Sequence, residues 1–88
     1  MTINLVIKGK VQGVFYRASA KDTAERLQIT GWVKNTVEGN VEITASGNDA
    51  AIDAFIEWCK QGPPRAIVKE VILSNTGEEY FEGFEVIR

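Results

Sequence analysis

Ile3-Asn4-Leu5-Val6-Ile7-Lys8-Gly9-Lys10-Val11-Gln12-Gly13-Val14-Phe15-Tyr16-Arg17 contains the turn of events that sets this chain's architecture. Ile3, Leu5 and Ile7 alternate with Asn4, Val6 and Lys8, the period of a strand buried on at least one face. Gly9 and Gly13 then break the pattern, and a helical one follows. Ser19 with Asp22 three residues later resembles a capping box, which predicts a helix opening there. Ala20, Ala24 and Leu27 fall on one face of that helix.

Working outward, Thr30-Gly31 ends the helix and Trp32 to Asn35 reads as a second strand. Thr36-Val37-Glu38-Gly39-Asn40 has hairpin-turn chemistry, and Val41, Ile43 and Ala45 alternate with polar residues in a third strand. Asn48 can cap a second helix whose apolar face is Ile52, Phe55, Ile56 and Cys59, stopped by Gly62-Pro63-Pro64. A fourth strand is predicted over about Ile67 to Leu73, and a terminal one around Phe84 to Ile87, across a polar acidic loop. The order is β-α-β-β-α-β with a short strand added. That predicts an α+β, ferredoxin-like split β-α-β sandwich: an antiparallel sheet of four to five strands with two helices on one face.

The 88 residues predict one domain, 1–88, and the 44% apolar and 25% charged composition suits one packed core. No apolar run reaches the ~20 residues of a membrane span, and no signal peptide is visible at Met1 to Leu5. A cytoplasmic protein with no membrane partner is expected. Cys59 is the only cysteine, which excludes an internal disulfide and every paired-cysteine metal or redox site. Histidine is absent, so the Ser-His and Cys-His nucleophile pairs and the commonest zinc ligand are excluded together. Neither a metal nor a cofactor is expected.

Charge is uneven. Residues 1–37 carry six Lys/Arg against two Asp/Glu, net +4, and residues 38–88 carry four against ten, net −6. The basic half suits an anionic ligand, while the acidic half argues against nucleic acid. The predicted crossover makes strands one and two parallel, which brings Arg17 and Asn35 to the same edge of the sheet. With strand three between them, their strands lie roughly 10 Å apart. Between strand one and the helix, the glycine-punctuated loop can aim successive backbone N–H groups at an anion, aided by the helix N-terminus. Taken singly, Arg17 would be a solvated cation and Asn35 a turn former. A Walker-type loop is absent.

Gly9-Lys10-Val11-Gln12-Gly13-Val14-Phe15-Tyr16-Arg17 resembles the first signature of the acylphosphatase family, G-x-V-Q-G-V-x-[FY]-R. Gly31-Trp32-Val33-Lys34-Asn35, continuing through Gly39, Val41 and Gly47, is similar to the second. The resemblance covers essentially the whole chain. It implies a metal-independent hydrolase that splits acyl phosphates into a carboxylate and inorganic phosphate. By matching position, it implies that Arg17 binds the phosphate and Asn35 orients the attacking water. The amides of Gln12, Gly13, Val14, Phe15, Tyr16 and Arg17 become the phosphate loop, with Thr36 supporting Asn35. The expected partner is a small acyl phosphate, and the expected state a monomer.

Two other readings compete. One is a non-enzymatic module that binds phosphate or carbamoyl phosphate inside a larger maturation assembly. The other is an RNA-binding module of the same sheet architecture, which would stack bases on sheet aromatics. Val41-Glu42-Ile43-Thr44 of strand three offers none.

Overall fold

A computed structural model describes residues 1–88. Its elements are β1 (Thr2–Lys10), α1 (Tyr16–Arg26), β2 (Thr30–Asn35), β3 (Val41–Ser46), α2 (Asp49–Gln61), β4 (Ile67–Gly77) and β5 (Phe84–Ile87). The strands form a single sheet in the order β4-β1-β3-β2-β5. The β4-β1, β1-β3 and β3-β2 pairings are antiparallel, while β5 runs parallel to β2, so the five-stranded sheet is mixed. This is the ferredoxin-like α+β fold, extended at one edge.

Alternation decides which face is covered. Ile3, Leu5 and Ile7 of β1 stand opposite Ala45, Ile43 and Val41 of β3, and all six are buried. Val33 of β2 lies beside Ile43 and Val86 on the same face. Ala20 and Ala24 of α1 and Ile52, Phe55 and Cys59 of α2 close over it. Each large aliphatic side chain removed from water here contributes about 1.5–3 kcal/mol. Phe55 meets Phe84 edge-on at 6.0 Å between ring centroids, which ties α2 to the short strand β5. The opposite face carries Asn4, Trp32, Lys34, Glu42 and Thr44. Asn4 donates there to Glu42 and Thr44.

Three boundaries differ from the sequence reading. Helix α1 opens at Tyr16, so Ser19 lies inside its first turn, donating its N–H to the Phe15 carbonyl at 3.0 Å. The Ser19/Asp22 capping box does not form, because Tyr16 anchors the helix one turn earlier. Strand β2 begins at Thr30. Strand β4 continues past Leu73 to Gly77, because β1 supplies ladder partners to Ser74 and Asn75 whatever their propensity.

Candidate functional site

The loop from Val11 to Phe15 is pinned at intervals and free between the pins. Val11 and Val14 are buried. The Gln12 side chain donates from Nε2 to the carbonyl oxygens of Thr36 and Asn40, at 2.9 and 2.8 Å. Tyr16 is buried, with its hydroxyl donating to the Cys59 carbonyl at 2.7 Å. Burial holds the Tyr16 phenol well above its ordinary range and pushes the Cys59 thiol up to about 12. Both therefore stay neutral near pH 7 and act as packing groups.

Between these anchors the backbone turns left-handed twice, at Gly13 (φ 74°) and Phe15 (φ 65°). Gly13 takes this conformation at no steric cost. Phe15 does so at about 1–2 kcal/mol, and the buried side chains of Val14 and Tyr16 on either side hold it there. The Phe15 ring itself is thrown outward, 73% exposed.

The consequence is a run of unused donors. No backbone N–H from Gln12 to Ala18 has an acceptor within the chain: the 11 backbone bonds outside regular elements include none of them, and α1's own bonding begins at Ser19. The N-cap residue, Phe15, makes no side-chain capping bond, and the first turn of α1 holds no acidic residue. Helix α2 is built the other way. Asn48 caps it by accepting from the Ala51 N–H at 2.8 Å, and Asp49 sits in its first turn. One helix start satisfies itself; the other presents N–H groups and the positive end of its dipole to solvent.

An open cavity of about 290 Å³ lies at this end of α1. Arg17, in the first turn of α1, and Asn35, at the end of β2, both line it. The register accounts for Asn35: it pairs with Val41 on the helix-covered face, the alternate position to Lys34. Arg17 donates from Nη1 to the Ile87 carbonyl at 3.2 Å, which fixes the guanidinium against the end of β5. Gly13, Phe15, Tyr16 and Arg17 of the loop and helix therefore line the same cavity as Asn35. No Asp or Glu side chain lines it.

Other expected positions lie elsewhere. Gln12 and Val14 do not line the cavity: the side chain of one braces the β2–β3 turn and that of the other is buried. Thr36 does not line the cavity. Its hydroxyl accepts the Asn40 N–H at 3.1 Å and shapes the turn after Asn35. Val86 and Arg88 do line the cavity, a place in the site that the sequence pattern of the terminal strand did not indicate. The parallel docking of β5 beside β2 brings them there, and no local pattern around residues 84–88 announces that pairing.

The ferredoxin-like sheet and an uncapped helix start beside an arginine and an asparagine define a class: a small α+β domain with unused N–H donors and a guanidinium at one sheet rim. The family model described as acylphosphatase matches residues 3–86. An acylphosphatase of Thiobacillus denitrificans is 49% identical over 84 residues, covering 96% of this chain and 93% of its own. The structure of an acylphosphatase from Coxiella burnetii superposes with a TM-score of 0.94 at 43% identity, over 98% of this chain and 90% of that one. The HypF structure from T. kodakarensis superposes with a TM-score of 0.85 at 27% identity, over 99% of this chain but 12% of that longer one. The chain belongs to the acylphosphatase family of hydrolases.

Proposed function

We propose that the chain hydrolyses the carboxyl–phosphate anhydride of acyl phosphates, with Arg17 and the amides of Gln12 to Arg17 holding the phosphate and Asn35 orienting water. The observation that carries this reading is the run of N–H groups without acceptors, converging with Arg17 on a cavity that Asn35 also lines.

The chemistry suits a site without histidine. Phosphoryl transfer runs through a loose, metaphosphate-like transition state, where positioning and charge stabilisation dominate. Water attacks phosphorus, the bond from phosphorus to the acyl oxygen breaks, and the electron pair leaves with the carboxylate. The parent acid has a pKa of roughly 4, so the leaving group needs no proton. The water's proton passes to a phosphate oxygen. Arg17 offers two planar donors to two phosphate oxygens, a geometry lysine lacks. The Asn35 amide oxygen accepts a hydrogen bond from the water and aims its lone pair at phosphorus.

Steady-state hydrolysis of benzoyl phosphate, with chelator present, tests this. Wild-type turnover is expected to survive chelation. Arg17→Ala and Asn35→Ala are each expected to lose about 10²–10³ in kcat while keeping the native circular dichroism spectrum. Near-normal turnover by either folded variant removes that residue's role. The second reading, a phosphate-binding module within a larger assembly, is favoured by the match to a small part of the HypF chain. It requires phosphate binding with no turnover in the same assay.

A further inference from the structure

We propose that Arg88 forms a subsite for the acyl group, selecting small acyl phosphates whose acyl portion carries a second negative charge. This rests on the hydrolytic reading above and adds the class of substrate.

Register puts Arg88 where such a subsite would be. Strand β5 runs parallel to β2 with Val33 beside Val86 and Lys34 beside Ile87, so Asn35 and Arg88 are the next neighbours in step. Both line the cavity, as does Val86 two residues before. Arg88 directly follows Ile87, whose carbonyl holds the Arg17 guanidinium. The two arginines thus line one cavity, and the carbonyl that holds Arg17 belongs to the residue before Arg88.

The phosphate does not need the second arginine. It has three peripheral oxygens, and the unused amides from Gln12 to Ala18, with Arg17, outnumber them. Nor is Arg88 occupied by the protein. The ion pairs of the chain engage Met1, Lys21, Arg26, Lys34 and Lys60, and no Asp or Glu side chain lines the cavity. The space exceeds a phosphate, standing near the lower end of the roughly 300–1,000 Å³ range of small-ligand pockets. Val11, Val86 and the exposed Phe15 ring give it apolar walls. A carbon skeleton along those walls, anionic at its far end, matches both the walls and the spare guanidinium.

The test compares 4-carboxybenzoyl phosphate with its neutral isostere 4-carbamoylbenzoyl phosphate, and benzoyl phosphate as reference. The readout is the ratio of kcat/KM for the first two, in the wild-type chain and in Arg88→Gln and Arg88→Lys. The substituents' own effect on the leaving group is the same in every variant, so a change in ratio isolates the side chain. The wild-type ratio is expected to exceed that of Arg88→Gln about fivefold, the scale of one exposed charge pair. Arg88→Lys should keep part of that preference. In the wild-type chain alone, salt on the order of 0.5 M should shrink it. Equal ratios in wild type and Arg88→Gln overturn the inference, as does a wild-type ratio indifferent to salt. Turnover of none of the three acyl phosphates overturns the hydrolytic reading itself, and this inference with it.

Discussion

Replacing Gln12 with methionine removes one brace and little else, which makes it a sensitive probe of how the site is held. The Gln12 carboxamide donates to the Thr36 and Asn40 carbonyls. Neither carbonyl would be left bare, because Thr36 O also accepts the Gly39 N–H at 3.2 Å and Asn40 O the Thr36 N–H at 2.9 Å. Losing two neutral bonds whose acceptors keep other partners should cost about 1 kcal/mol. For a domain of this size that lowers Tm by roughly 4–8 °C.

The effect on rate should be larger. The brace spans the Val11–Phe15 loop and the turn that follows Asn35, so under the proposed mechanism its loss lets the Asn35 carboxamide drift relative to Arg17. A misplacement of about 1 Å costs on the order of 10²-fold. Gln12→Met is therefore expected to lose roughly 10- to 100-fold in kcat on benzoyl phosphate, with inhibition by inorganic phosphate little changed because the loop amides remain. Gln12→Glu, which sets a carboxylate oxygen against two carbonyls, should be worse on both counts. A Gln12→Met protein that melts several degrees lower but keeps kcat within about twofold would refute the coupling between brace and site.

Two further outcomes rest on packing. An added Cβ at Gly31 would lie 1.9 Å from the Thr44 carbonyl oxygen at a φ of 140°, so Gly31→Ala should cost more than about 3 kcal/mol. Gly83→Ala, where a Cβ meets nothing, should leave the urea midpoint unchanged. Cys59, buried with its thiol pushed up to about 12, should resist thiol reagents at pH 8 in the native chain and react at once in denaturant. Because the unfolded thiol ionises near its ordinary 9.0, the contribution of Cys59 to stability should be constant below that pH. Between there and about 12 the unfolded chain sheds the thiol proton first, and Cys59 by itself should lower the folding constant by up to about tenfold per pH unit, with buried Tyr16 adding to the fall above 10.0. Denaturation midpoints across that alkaline range, compared with Cys59→Ala, check the assignment.

Much of the molecule was legible because its signals are local or periodic. The alternation of Ile3, Leu5 and Ile7 and the helical spacing of Ile52, Phe55 and Cys59 depend only on which residues can share a buried face. The order of such elements, with the handedness of a crossover, was enough to bring Arg17 and Asn35 to one rim. The start of α1 was misread because Ser19 and Asp22 satisfy a capping pattern that the chain does not use. A buried Tyr16, bonded to a carbonyl of the other helix, outweighs it.

The sequence by itself determined the buried faces, the element order and two motif-bearing residues at one end of the sheet. The tertiary structure alone decided which strand β5 joins, and so that Val86 and Arg88 enter the cavity. It also decided that the Gln12 side chain serves the β2–β3 turn and that Thr36 shapes that turn. These are contacts between segments far apart in the chain, including a parallel pairing and a side chain reaching across a loop. No repeat or short-range preference encodes such a meeting; it exists only once the core has packed and set the distances.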